Sequence, residues 1–319
     1  MKTTVLALLL FAAAAGAPAQ TSDVASETVS VNYVMIPFTP IGPKGRPIAD
    51  LREKDISLFV DGKPVARDLF EKSQNAPVSF AILLDGSGSM HLAGKMEAAR
   101  AALTTLIASR KPGDEFALYV FDDREAHEIV PFTEDVDKIL RALANVKPYG
   151  KTAFFDAVAT MPERSELGKN ATRAIVLLSD GIDNASKLTR RQLPGKLEGV
   201  PVPIYALGLR PPAEKAKLKK MPVSEELSDL RLLDEIANIT GGKLFLGTKP
   251  QDFIEAASAL DRDLRVQYLI GFSPTGKGAV KYRRISLKVA GRVQTVRVRA
   301  GYRGTEPPVL SATRKSKRG

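Results

Sequence analysis

The residues with the most chemistry in their spacing are Asp85-Gly-Ser87-Gly-Ser89, which follow the apolar run Val78-Ser-Phe-Ala-Ile-Leu-Leu84. A carboxylate and two hydroxyls at alternate positions, on a backbone loosened by glycine, can all turn into one pocket. If the run is a parallel strand, the pocket lies at its carboxyl end, where open α/β sheets bind ligands. Oxygen-only donors suit a hard cation such as Mg²⁺, Mn²⁺ or Ca²⁺. Taken alone, the same pattern also describes a turn capping the next helix. Two further segments add to it. Lys147-Pro-Tyr-Gly-Lys151-Thr152-Ala-Phe-Phe-Asp156 puts a threonine in a glycine-bearing loop ahead of a helix. Leu177-Leu-Ser-Asp180-Gly-Ile-Asp183 puts an aspartate at the end of a second apolar strand. In a parallel sheet both loops leave by the same edge as Asp85.

The elements that must position these loops alternate between strand and helix over residues 78–262. Phe116–Phe121, Ala174–Leu178 and Val202–Leu207 read as further strands. The first apolar run and Ala174–Leu178 are continuous enough to be buried on both faces of a parallel sheet. Met96–Ile107, Leu230–Ile239 and Phe253–Leu264 carry apolar residues at helical spacing, as does a short helix through Ile139 and Leu143. The expected class is α/β, a doubly wound, mostly parallel sheet with helices on both faces. Strand-like segments with turn punctuation flank it, among them Ile56–Val60 before the hairpin signal Asp61-Gly62. Near the other end, Tyr282–Val289 and Val293–Ala300 read as strands joined by a turn at Gly291, with Arg284, Lys288, Arg297 and Arg299 outward. The expected organisation is a leader over 1–19, an N-terminal β segment over 24–76, the α/β domain over 77–263, a basic β segment over 264–304 and a disordered basic tail over 305–319. Packing the two β segments together would make one module flanking the α/β domain.

Composition removes several function classes. The 319 residues hold no cysteine, which excludes disulfide frameworks, thiolate metal sites and cysteine nucleophiles. The two histidines, His91 and His127, are far apart, a poor basis for histidine-held zinc or a serine-histidine-aspartate triad. The net charge of +11 is uneven. Residues 264–319 carry 14 Lys/Arg and one acid, while the rest of the chain is at −2. The first nineteen residues have the anatomy of a secretory signal: Lys2, an apolar stretch from Val5 to Ala15, and Ala17-Pro-Ala19 as the cleavage site. The expected location is therefore secreted or periplasmic, with cleavage near Ala19 and no transmembrane segment.

In combination, Asp85-x-Ser87-x-Ser89, Thr152 and Ser-Asp180-Gly resemble the metal-ion-dependent adhesion site of the von Willebrand factor A family, which includes integrin I domains. The loop at Gly150-Lys151-Thr152 departs from the family's commoner Gly-Gly-Thr by one residue. The flanks, Gly45-Arg-Pro47, Asp61-Gly-Lys-Pro64 and Tyr268-Leu-Ile-Gly-Phe-Ser-Pro274, are similar to those of secreted acidobacterial proteins with such a domain. The resemblance implies a Rossmann-like fold and a divalent cation, Mg²⁺ first. Ser87, Ser89 and Thr152 would coordinate it through hydroxyls, and Asp85 and Asp180 mainly through waters. It also implies a protein partner that presents a carboxylate to the ion, hence adhesion or protein binding and no catalytic residues. Asp156 and Asp183 either orient the loops or touch the site, and His91 and Lys151 stand at its rim.

A second reading comes from the basic segment. Arg284, Lys288, Arg297, Arg299 and Arg303 would form one cationic face for anionic envelope polymers or lipids, without a metal. Its alternative is a solvated edge whose cations deter strand pairing. Nucleic acid is not an expected partner, since there is no Trp and no interleaved aromatic pattern. Gly271–Gly278 nearly spells a phosphate-binding loop, but the hydroxyl residue after Lys277 is missing and a strand follows.

Overall fold

The computed structural model describes residues 33–209, 225–247, 249–274, 279–305 and 307. The expected leader, the basic tail beyond Thr305 (save Pro307) and the Thr275–Gly278 stretch lie outside the described residues. Four strands come first: β1 (Val34–Ile41), β2 (Ile56–Val60), β3 (Lys63–Pro64) and β4 (Leu69–Gln74). The α/β part then runs β5 (Val78–Asp85), α1 (Lys95–Ala108), β6 (Glu115–Phe121), β7 (His127–Thr133), α2 (Val136–Asn145) and α3 (Phe154–Ser165). It continues with β8 (Thr172–Ser179), α4 (Leu193–Leu197), β9 (Ile204–Leu209), α5 (Glu225–Thr240), β10 (Lys243–Gly247) and α6 (Pro250–Arg265). Four strands close the chain: β11 (Val266–Phe272), β12 (Lys281–Val289), β13 (Thr295–Val298) and β14 (Gly301–Gly304). The edge strands β7 and β10 and the one-turn α4 carry little apolar periodicity, and the sequence pattern does not predict them.

The central sheet has the order β10-β9-β8-β5-β6-β7 and is parallel except for β7, which pairs antiparallel with β6. Every residue of β5 is buried, which is why its sequence is a continuous apolar run and not an alternating one. Val78, Phe80, Ile82 and Leu84 face one layer with α1, α2 and α6. Ala81 and Leu83 face the other, with α3, α4 and α5. The chain leaves β5 to build β6 and β7 on one side, then returns to place β8 on the other. The crevice between the carboxyl ends of β5 and β8 is thus the sheet's switch point, the place where such folds bind ligands.

The remaining strands form two antiparallel sheets, β13-β1-β11-β4 and β14-β12-β2-β3, each mixing segments from both ends of the chain. They share a core of Ile36, Phe38, Leu58, Tyr268, Ile270 and Phe272. Tyr268 stacks between Phe38 and Phe70, and its hydroxyl accepts from Leu51 N at 2.9 Å. The expected hairpin at Gly291 does not form. β12 pairs with β2 and β14, whereas β13 crosses to the other sheet and pairs with β1, Val298 opposite Phe38. Val296 and Val298 find apolar cover in this shared core, which pairing with β12 is not needed to supply. Among the described residues, no helix is long and apolar enough to cross a membrane.

Candidate metal centre

Asp85 ends β5 and is fully buried. Its Oδ1 accepts from Ser87 N at 2.9 Å, and its Oδ2 from the Ser179 hydroxyl at 2.6 Å. Ser179 ends β8, so this bond spans the switch point, and its oxygen also accepts from Gly181 N. Burial pushes the Asp85 carboxyl up to about 6; the two serine contacts oppose the shift and the charge of Asp180 adds to it.

The glycines of Asp85-Gly-Ser-Gly-Ser89 are there for room. A Cβ on Gly86 would sit 2.7 Å from Val120 Cγ1, and one on Gly88 would sit 3.2 Å from the Gly150 carbonyl. That closeness lets the two loops zip together through Gly88 N to Gly150 O at 3.1 Å and Tyr149 N to Gly86 O at 2.8 Å. The Ser87 and Ser89 hydroxyls lie 3.1 Å apart, with Ser87 fully buried and Ser89 partly so. Thr152 is buried at the end of the second loop. Its N–H donates to Asn184 Oδ1 at 2.8 Å, and its carbonyl accepts from the N–H groups of Asn184 and Ala185.

Asp180 is fully buried next to the end of β8. Its Oδ1 accepts from Ile182 N at 3.2 Å, and its Oδ2 takes the ammonium of Lys95 at 2.7 Å. Asp183 and Asp156 bind backbone. Asp183 accepts from Phe155 N and from the Ser186 hydroxyl, and Asp156 from Lys187 N and Leu188 N. The two acids thereby pin the 183–188 loop to the start of α3. His91 and Lys151 are exposed on the two loops, as are Leu92 (63%) and Tyr149 (84%).

Three contributors escape a reading of the motif alone: Ser179, Asn184 and Lys95. Ser179 and Asn184 flank Asp180 in sequence but act through contacts to Asp85 and Thr152. Lys95 carries a signal of its own, a cation in the first turn of a helix, where the helix dipole disfavours it. Among the described residues, no three acids or histidines gather in one cluster. The donors at the switch point are therefore hydroxyls backed by two buried carboxylates, a set that fits a hard, oxygen-seeking divalent cation.

The proposed cationic face does not assemble. Arg297 pairs with Asp263 of α6, and Arg299 is buried, donating to the carbonyls of Gly199 at 3.0 Å and Met35 at 2.8 Å. Burial lowers Arg299 to about 10. The alternation of β13 separates valine from arginine, but the arginine face lies against the α/β part, not in solvent. Arg284, Lys288 and Arg303 are exposed on or beside the other sheet; Lys288 lies over the Phe59 ring and Arg303 reaches Glu198 at 3.6 Å.

A sequence profile of the von Willebrand factor type A domain matches residues 80–182, a span that contains Asp85, Ser87, Ser89, Thr152 and Asp180. Among solved structures, the chain is similar to a von Willebrand factor type A protein from Catenulispora acidiphila at 15% identity, with 78% of this chain and 76% of that one covered and a TM-score of 0.48. It is also similar to the PilB minor pilin from Streptococcus sanguinis, at 14% identity over 60% of this chain and 62% of the pilin, TM-score 0.46. A third likeness is to the vWF domain of the type V pili tip protein Mfa5 from Porphyromonas gingivalis, at 12% identity over 65% and 98%, TM-score 0.41. No curated protein matches the chain. The segment from Phe80 to Ile182, which carries the switch-point loops of the doubly wound sheet, thus matches the von Willebrand factor type A domain.

Proposed function

We propose that the chain is a metal-dependent protein-binding or adhesion module, secreted or periplasmic, that recruits an acidic group of a partner through a divalent cation, Mg²⁺ first. The observation that carries this reading is the donor set at the switch point: the Ser87 and Ser89 hydroxyls 3.1 Å apart, beside the fully buried Asp85 and Asp180. Ser87, Ser89 and Thr152 would hold the ion through neutral oxygens, with Asp85 and Asp180 balancing its charge from behind. When bound, the ion supplies a positive position that neutral ligands leave partly uncompensated, and a partner's carboxylate answers it in a charge-assisted contact. Exposed Leu92 and Tyr149 give that partner apolar surface beside the site. The reading is of binding and not turnover, because both carboxylates are already engaged as acceptors: Asp85 from Ser179 and Ser87, Asp180 from Lys95 and Ile182.

The test is a calorimetric titration of Mg²⁺ and Mn²⁺ into chelator-stripped protein, beside Asp85→Ala and Thr152→Ala. Saturable binding lost in both variants is expected, followed by capture of a partner that chelator releases. Binding that is absent, or indifferent to both substitutions, would sink the reading.

A further inference from the structure

Lys95 is an odd residue for its position. It is the first residue of α1, behind Gly94, which offers no side-chain cap, and a positive charge there works against the helix dipole. Yet its side chain is only 11% exposed, and its ammonium is 2.7 Å from the Oδ2 of a fully buried aspartate. A charge-assisted bond of that length in a dry setting is a strong contact, not a passing surface pair.

Asp180 has two oxygens, and both are engaged, Oδ1 by Ile182 N and Oδ2 by Lys95. An ion drawn to the carboxylates of the switch point meets a cation already in place. An ammonium and a divalent ion gathered at one carboxylate repel strongly across a few ångströms of low-dielectric interior. The lysine is the partner able to yield. Its four-carbon stem carries the charge away by rotation, with no movement of α1. Asp85, by contrast, is held by Ser179 and Ser87, neutral donors with which an ion has no quarrel.

We propose that Lys95 is the internal counter-ion of this site: its ammonium and a divalent cation hold Asp180 in alternation, so that loading the site frees the Lys95 ammonium and the residue sets how tightly the ion is bound. The inference rests on the metal-dependent reading above and adds regulation to it. Neutralising the lysine removes a competitor for Asp180 and strengthens metal binding. In the other direction, metal loading exposes a new positive charge beside the edge that already carries Lys151.

Two measurements on the full chain test this. In the first, Mg²⁺ and Mn²⁺ are titrated into wild type, Lys95→Gln and Thr152→Ala; Gln keeps a hydrogen-bond donor without the charge. Lys95→Gln is expected to bind about tenfold tighter, the scale of one charge-assisted hydrogen bond that no longer has to be displaced. The second uses wild type only, so it does not depend on the variant folding. Lysine acylation is read residue by residue by mass spectrometry, with chelator and with saturating Mg²⁺. Labelling of Lys95 is expected to rise severalfold as the metal saturates. Equal or weaker affinity in Lys95→Gln, or Lys95 labelling that ignores the metal, overturns the inference and leaves the metal site standing. A wild type that binds neither ion, or binding that survives Thr152→Ala, overturns the metal reading and this inference with it.

Discussion

Two regions of the molecule bury charge, and they balance it differently. At the junction where α6 runs into β11, Arg265 donates to both oxygens of Asp114 and to Asp261, and to the Ala76 carbonyl at 2.9 Å. Nearby, Arg297 is paired with the buried Asp263. Cations and acids are matched there, and the result is a fastening between the α/β part and the β module. At the switch point, the buried Asp180 takes the ammonium of Lys95, whereas the buried Asp85 accepts from neutral groups, the Ser179 hydroxyl and the Ser87 N–H. The Asp85 carboxyl is pushed up to about 6, first by burial. Paired buried charge fastens a structure, whereas a buried carboxylate held by neutral donors, in a place with further oxygen donors, is suited to taking up a cation.

The contrast can be broken most sharply at the junction. Arg265→Ala leaves the fully buried Asp114 without its main counter-charge, and unfolding in denaturant is expected to show a loss of about 3–5 kcal/mol. A loss under 1 kcal/mol would mean that the junction is not the fastening described. The switch point is expected to respond in the opposite direction. The folded-state value of Asp85 lies above its ordinary 3.8, so the folded chain binds the proton more tightly than the unfolded chain. Its contribution to stability is therefore least favourable above about pH 6, grows as pH falls through that value, and levels off below about 4. With chelator present, the stability of wild type relative to Asp85→Asn, which has no carboxyl to titrate, is expected to rise by about 3 kcal/mol between pH 8 and pH 4. A pH dependence that is the same in wild type and Asp85→Asn would contradict this description of Asp85. The smallest effect is expected from Arg284→Ala and Lys288→Ala, exposed cations of the outer sheet, at no more than about 0.5 kcal/mol each in the same assay. A larger loss would show that the outer cations are structural as Arg297 is.

Much of the fold was legible because burial on both faces writes itself as an unbroken apolar run. Val78–Leu84 and Ala174–Leu178 announced the two central strands, and the helices between them followed from their apolar spacing. β7 lies on the sheet's edge and, of its seven residues, buries Val130 alone, so it carries no such mark. The loops that follow β5, precede α3 and follow β8 were likewise readable, because glycine and alternating oxygen side chains at strand ends are local features. The partners of those side chains were not. Ser179 reaches Asp85 across 94 positions and Lys95 reaches Asp180 across 85. Arg297 in β13 and Arg299 just after it show the same limit. Alternation separates Arg297 and Arg299 from Val296 and Val298, but periodicity says only that a strand has two faces, not what lies against each.

Read alone, the sequence carries the class of the fold and the edge of the sheet at which the oxygen donors gather. These follow from local patterns of burial, turn and donor type. It takes the folded chain to show that Lys95 opposes Asp180, that Asp156 and Asp183 bind backbone, and that two arginines of the basic segment are turned inward. Those outcomes depend on which distant surfaces meet, and a charge takes its role from the charge folded against it.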